Sequence, residues 1–129
     1  METRRAPRIN LNLIIRSKIP PEYKQKFALI SGMNFEVEAV DISVLGVGMF
    51  SKYFLPVGLI LELEITGKPF GLTDNMTVKV QVRHCRFIKG RGYRCGVQFL
   101  DLPKEYKKAL EEFVSVYERR KAPRLKLAE

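Results

Sequence analysis

The sequence predicts a mainly β fold, a six-stranded antiparallel β-barrel followed by a C-terminal α-helix. Apolar and polar residues alternate over several short, regularly spaced segments, and this is the period of a β-strand. Lys89-Gly90-Arg91-Gly92, between two such segments, is a strong hairpin signal. After Pro103 the apolar residues recur at helical spacing. Short strands followed by one amphipathic helix are typical of a small barrel with a helix against its flank.

The predicted strands follow the alternating segments in chain order. They cover residues 9–16, 35–42, 49–54, 57–65, 78–88 and 93–100. The apolar parity shifts between Val82 and Cys85, so we expect a β-bulge near Arg83 or His84. Cys95 falls on the apolar face of the last strand, which predicts a buried thiol.

The length of 129 residues indicates a single domain. We divide it into a flexible arginine arm at 1–8, the barrel at 9–102, the helix at 103–120 and a basic tail at 121–129. The sequence contains neither a signal-peptide pattern nor an apolar run of the roughly 20 residues that span a bilayer, so we expect a cytoplasmic protein. Two cysteines and one histidine do not favour a disulfide framework or a metal site.

The charge of the chain indicates an anionic ligand. The formal net charge is +9, which predicts attraction to phosphate, nucleic acid or an anionic membrane surface. No acidic residue lies between Asp74 and Asp101, and both chain ends are basic. The cations within that acid-free segment are Lys79, Arg83, Arg86, Lys89, Arg91 and Arg94.

Two segments carry candidate binding residues. Arg4, Arg5 and Arg8 precede the first strand, and a guanidinium group can donate to a phosphate or to the acceptor edge of guanine. At the end of the second strand, a carboxylate and a hydroxyl two residues apart could bind a guanine, and the following glycines allow positive φ and close backbone approach. The alternative is that these residues only hydrogen-bond a turn. This second set is Asp41, Ser43, Gly46 and Gly48.

Together the two segments resemble the PilZ domain family of bacteria. Arg4 and Arg8 match its Arg-x-x-x-Arg motif, and Arg5 matches the arginine that commonly stands beside the first one. The segment 41–48 matches its Asp-x-Ser-x-x-Gly motif, and 96–101 is similar to its last strand. The resemblance covers nearly the whole chain and agrees with the barrel and helix that the alternation predicts.

The resemblance implies a receptor for the second messenger cyclic di-GMP, and no other cofactor. Binding would order the arm on the barrel and signal to a protein partner in motility, adhesion or exopolysaccharide control. The chain would be a monomer or a homodimer and would perform no catalysis. The residues implied for the ligand are Arg4, Arg5, Arg8, Asp41, Ser43, Gly46 and Gly48.

Other interpretations stay open at this stage. The chain could be a barrel that binds single-stranded nucleic acid, or a PilZ-like interaction module without a ligand. Two features depart from the family pattern. One is a predicted insertion at 20–33, and the other is a second arginine pair, Arg120 and Arg124, near the C-terminus.

Overall fold

The computed structural model describes residues 8–20 and 34–128, with the side chains of the terminal helix included up to Tyr117. Within those ranges the chain forms six strands, a short 3-10 helix and one α-helix. The predicted six-stranded antiparallel barrel with a C-terminal helix is therefore confirmed. The elements are β1 (Ile9–Lys18), β2 (Asn34–Ile42), β3 (Gly46–Ser51), β4 (Ile60–Ile65), the 3-10 helix (Lys68–Phe70), β5 (Met76–Ile88), β6 (Gly92–Phe99) and α1 (Lys104–Ala128).

The strands close into a barrel in the order β1-β2-β3-β6-β5-β4. Strand β4 returns to β1, where Arg16 pairs with Glu64 and Lys18 pairs with Glu62. All of these pairings are antiparallel. Alternate side chains of each strand fill the interior, as expected for a barrel of this size.

The core is one continuous apolar cluster inside the barrel, extended by the helix on its flank. From α1, Ala109, Leu110 and Val114 are buried against it. The Phe113 ring packs edge to face on Phe70 of the 3-10 helix, with the ring centroids 4.8 Å apart. No helix in the described part of the chain is long and apolar enough to cross a membrane.

The hairpin and the bulge form where they are predicted. Ile88 pairs with Gly92, and the glycines of the turn have φ values of 82° and 97°, the region that glycine adopts without strain. The β5–β6 register shifts between Val82 and His84, which confirms the bulge. Cys95 is fully buried, and its thiol lies 3.1 Å from the Cys85 thiol on the paired strand.

Several predicted boundaries are wrong. The helix does not end near residue 120 but continues to Ala128, through most of the predicted basic tail. Ala, Leu, Lys and Arg in that segment favour a helix, while Pro123 lacks the backbone N–H donor of its turn. Strand β3 lies three residues earlier than predicted, since Gly46 already pairs with β6. Strand β4 begins at Ile60 rather than at residue 57, because Gly58 has a φ of 94°, which is not strand conformation.

Candidate functional site

Three residues that are distant in sequence meet where β1 begins and β2 ends. The Asp41 carboxylate accepts a hydrogen bond from Arg8 Nη1 at 2.6 Å and a second from Arg94 Nη2 at 2.9 Å. Each arginine uses a different carboxylate oxygen. The Asp41 side chain is only 13% exposed, and both arginines are partly buried. We call this group the Asp41 cluster.

Irregular strand pairing gives the Asp41 side chain its direction. Alternate residues of β2 up to Ala39 fill the interior, and strict alternation would place residue 41 there as well. The β2–β3 register shifts between Ala39 and Asp41, and the β1–β2 register shifts opposite the same segment. After these shifts Ile42 belongs to the apolar core, and the Asp41 side chain reaches the arginines. Bulges are known to re-aim side chains beside functional sites.

Gly48 has no side chain, and this provides the space in which the Asp41 cluster lies. A Cβ atom at this position would lie 2.6 Å from Arg94 Nη1 and from Asp41 Oδ1. The φ of Gly48 is not positive, which corrects the expectation that this glycine supplies a positive-φ turn. Its role is instead to let two charged side chains cross the backbone of β3.

Ser43 and Gly46 shape the turn between β2 and β3. The Ser43 hydroxyl accepts from the Leu45 N–H at 3.1 Å, and the Ser43 N–H donates to the Gly46 carbonyl at 3.0 Å. A Cβ atom on Gly46, which also lacks a positive φ, would overlap the Val97 carbonyl of β6. Ser43 is fully buried, so its hydroxyl serves the turn in this structure, as the turn alternative expects.

The surroundings of the Asp41 cluster are cationic, and the pKa of the neighbouring His84 shows the effect of these charges. The imidazole lies against the Gly96 backbone. Its partial desolvation, and then the positive charges of Arg94, Arg86 and Arg8, lower the pKa of His84 from the ordinary value of 6.5. Histidine is therefore mainly neutral beside the cluster at neutral pH, and the positive potential favours an anion there.

Arg94 and His84 are absent from the predicted site residues. Alternation along β6 was sufficient to place Arg94 on the face opposite Cys95, but not beside Asp41. That contact depends on the β3–β6 pairing, in which Gly48 lies opposite Gly96. A pairing between strands that are not consecutive in sequence leaves no short-range signal, so only the structure identifies the two residues.

Some predicted residues cannot be located. Arg4 and Arg5, most of the arm, and residues 21–33 of the predicted insertion lie outside the described residues. Arg120 and Arg124 belong to α1, but their side chains also lie outside the described part. Of the seven predicted site residues, the structure brings Arg8, Asp41 and Gly48 together, while Ser43 and Gly46 form the adjoining turn.

Comparison with family models decides the classification. The model of the PilZ domain matches residues 2–115. The chain belongs to the PilZ domain family. The resemblance inferred from its two motifs is thereby confirmed. A comparison with curated proteins finds no significant match.

Solved structures of PilZ proteins share the fold. The inhibitor of motility MotI/DgrA from Bacillus subtilis is 15% identical, with a TM-score of 0.71 over 94% of this chain and 54% of that one. YcgR from Escherichia coli in complex with c-di-GMP is 16% identical, with a TM-score of 0.66 over 98% and 50%. The PilZ domain of YcgR with c-di-GMP is 15% identical, with a TM-score of 0.59 over 97% and 98%. The chain thus spans about half the length of the first two proteins and nearly all of the separate PilZ domain.

Proposed function

We propose that this PilZ domain is a receptor for cyclic di-GMP that performs no catalysis and signals by a change in its N-terminal arm. The observation that carries the proposal is the Asp41 cluster, in which a motif arginine and the motif aspartate are already in contact. Structures of YcgR with c-di-GMP, which has the same fold, support the choice of ligand.

The donors and acceptors of the cluster suit a guanine nucleotide. A carboxylate offers about four acceptor positions, and Arg8 and Arg94 use one on each oxygen, so Asp41 can still accept from the N–H groups of a guanine. Each guanidinium carries five N–H donors, most of which remain for phosphate oxygens or the guanine acceptor edge. We assign Arg4 and Arg5 to the same ligand from the family motif.

The proposed mechanism is an exchange of partners at Arg8. In the free chain Arg8 binds Asp41, which holds the beginning of β1 against the end of β2. A ligand phosphate would compete for the Arg8 guanidinium while a guanine competes for Asp41. The arm would then follow Arg8 onto the ligand, and this rearrangement would present a changed surface to a protein partner in motility, adhesion or exopolysaccharide control.

The absence of catalysis is proposed from the chemistry of the cluster. Both oxygens of the Asp41 carboxylate are bound by arginine, which makes it a weak nucleophile, and the arginines supply only donors and positive charge. Burial, and then the hydrogen bond to Cys85, raise the pKa of the Cys95 thiol far above its usual range, so this cysteine stays protonated.

Binding of a bacterial second messenger also implies a cytoplasmic protein, and localisation of a fluorescent fusion would check this location.

Calorimetric titration of cyclic di-GMP into the purified chain tests the proposal. We expect saturable binding with fixed stoichiometry, which Arg4→Ala/Arg8→Ala weakens about 100-fold or more, at roughly 1.5–3 kcal/mol for each hydrogen bond to a charged group. The matched control is Arg120→Ala/Arg124→Ala, which removes the same charges from the other end of the chain and should bind like the unaltered protein.

Three outcomes would contradict the proposal or its binding site. Absence of saturation with cyclic di-GMP would remove the receptor function and leave the interaction module without a ligand. Binding of single-stranded oligonucleotides that falls steeply with salt and shows little base preference, in place of the dinucleotide, would instead support the nucleic-acid interpretation. Loss of binding only in the C-terminal variant would move the site to α1.

A further inference from the structure

A second feature of the surface lies on the other face of the β5–β6 hairpin. Phe87 is 64% exposed and Phe54 is 54% exposed, although both rings contact Tyr93. The centroid distances to Tyr93 are 5.5 Å for Phe87 and 5.7 Å for Phe54. Val57, also exposed, follows in the same loop as Phe54. We call Phe54, Val57, Phe87 and Tyr93 the aromatic patch.

The backbone holds the aromatic patch in place. Phe87 pairs directly with Tyr93 across the hairpin, in the same parity as the Cys85–Cys95 pair, so their rings continue the apolar face of the strands beyond the core. The loop that carries Phe54 is tied to β5 by a hydrogen bond from the Leu55 N–H to Cys85 Sγ at 3.4 Å. Rings that are already packed lose little conformational freedom when a partner covers them.

The charges around the aromatic patch have one sign. The two segments that build it, 51–59 and 83–94, contain no aspartate or glutamate. Arg91 and Arg94 within them are paired with acids from β2, but the exposed Lys52, Arg83 and Lys89 are not in those pairs. The patch is therefore an apolar centre with a cationic rim, and its complement is an apolar centre with an acidic rim.

We propose that the aromatic patch docks a protein partner whose surface carries exposed apolar side chains surrounded by Asp and Glu. This inference deepens the proposed function, since it rests on the signalling of the domain to a partner. Aromatic residues and arginine are the residues most enriched at the energetic centres of protein interfaces. A second copy of this chain does not fit, because the patch would meet the same cationic rim and a net charge of +9.

The ring geometry favours a protein over a nucleic acid. Bases stack on open ring faces, whereas Phe54 and Phe87 are inclined to Tyr93 by 66° and 63° and form a contiguous edge-to-face cluster. The rim contains arginine, at Arg83, as well as Lys52 and Lys89, and the arginine fork binds carboxylates in two-point contacts. An anionic lipid surface would attract both residue types alike, so it is an alternative outcome of the experiment.

The position of the patch links it to the Asp41 cluster. Tyr93 of the patch and Arg94 of the cluster are consecutive on β6, and their side chains leave opposite faces of the strand. A ligand that changes the pairing of Arg94 therefore acts on the residue beside a patch ring. This gives the partner a means to distinguish the free domain from the loaded one.

Photocrosslinking in the source bacterium tests the surface. We would place p-benzoylphenylalanine at position 87 and, as a control, at position 14, since Ile14 is similarly exposed on β1. We expect a crosslinked protein from position 87 that position 14 does not give. That protein, identified by mass spectrometry and purified, is then titrated with the unaltered chain by calorimetry.

Three variants complete the experiment. Phe54→Ala/Phe87→Ala should weaken binding of the purified partner at least 10-fold, and Arg83→Glu should weaken it independently, whereas Ile14→Ala should not. Because the altered side chains are largely exposed, we expect only small changes in melting temperature, the largest in the double variant, which loses two ring contacts with Tyr93. The double variant should also keep its affinity for cyclic di-GMP, so failure of the patch is distinguishable from failure of the ligand site.

Other results would overturn the inference. These are the absence of a product specific to position 87, or equal binding of the purified partner by the unaltered chain and the double variant. Binding to phosphatidylglycerol vesicles, or to a single-stranded oligonucleotide, that the double variant loses would assign the patch to a lipid surface or to nucleic acid instead.

Discussion

Strand β1 has an arginine near each end, and each arginine meets a carboxylate, but the two ends differ in burial and geometry. At the beginning of the strand, Arg8 binds the shielded Asp41 at 2.6 Å, and Arg94 binds the same carboxylate. At the other end, Arg16 lies 3.9 Å from Glu64 and its side chain is 81% exposed. Lys18 and Glu62 form a second pair there at 3.2 Å.

The contrast shows why sequence charge alone does not identify a site. Water screens exposed ion pairs, so each contributes about 0–1 kcal/mol to the free energy of unfolding. At the shielded Asp41 carboxylate, two arginines hold their N–H donors in fixed directions where the local dielectric constant is lower, so electrostatic interactions there are stronger. The exposed end also borders a groove of about 640 Å³, and no member of the Asp41 cluster lines it. An open groove is therefore less informative here than convergent charge. The lining residues are Arg16, Ser17, Lys18, Asn34, Phe35, Glu36, Glu62, Glu64 and Thr77.

The largest expected difference between the two ends is in ligand affinity. Asp41→Asn keeps the shape of the side chain but removes the charge that accepts from the arginines and from a guanine. We expect calorimetry to show cyclic di-GMP binding weakened about 100-fold, from the loss of two hydrogen bonds to a charged acceptor at roughly 1.5 kcal/mol each. Glu64→Gln makes the same chemical change at the exposed end and should leave affinity unaltered. Equal effects of the two variants would contradict the distinction between the ends.

The next largest effect distinguishes two glycines of β3, one expected to affect ligand affinity and the other the stability of the fold. Gly48→Ala would push a methyl group against the Asp41 carboxylate and the Arg94 guanidinium, which are side chains that can move, so we expect a loss of affinity of about 10-fold with little change in melting temperature. Gly46→Ala meets the Val97 backbone instead and should lower the free energy of unfolding by about 1–3 kcal/mol. Calorimetry and thermal melts measure the two quantities. A Gly48 variant that loses stability and keeps its affinity would disprove this assignment.

Local signals explain how much of the fold could be predicted. Period-2 alternation located the six strands, Lys89–Gly92 located the hairpin, and the parity change after Val82 located its bulge. The boundaries failed where a contact from elsewhere decides them. Gly46 joins β3 because of its pairing with β6, and alternation along β3 does not report that partner.

The candidate site could be predicted only in part for the same reason. The two motifs together, through their resemblance to the PilZ family, predicted Arg8 and Asp41 as site residues, and the structure places the two in contact. Arg94 depends on barrel closure and on two register shifts around Asp41, which no short motif encodes. The assignment of all seven residues to a ligand stays a prediction, and these are Arg4, Arg5, Arg8, Asp41, Ser43, Gly46 and Gly48.

A smaller effect concerns the electrostatic potential at the Asp41 cluster. His84 is the single histidine of the chain, so its pKa can be used to measure this potential. Its pKa is lowered in the folded state, so the unfolded chain binds more protons between that pKa and 6.5. The contribution of His84 to stability is therefore complete above pH 6.5 and is lost as the pH falls below this value. NMR titration should show the lowered pKa in the free protein. It should rise in Arg94→Ala, and also when an anionic ligand binds.

The exposed end offers a control for this titration. Arg16→Ala removes one positive charge, as Arg94→Ala does, but Arg16 is not among the charges that lower the His84 pKa. The histidine should titrate in this variant as in the unaltered protein. A His84 pKa at or above 6.5 in the free chain would show that the arginines do not act on it.

The smallest expected effect is on stability at the exposed end of β1. Glu64→Gln and Arg16→Ala each break an ion pair whose atoms are 3.9 Å apart and whose arginine is mostly in water. We expect denaturant titrations to give changes in the free energy of unfolding within about 0.5 kcal/mol, since the gain in Coulomb energy is offset by solvation and side-chain entropy. A loss above about 2 kcal/mol would show that this pair helps to close β1 against β4. Charge would then stabilise the fold at this end of the strand and be available for ligand at the other end.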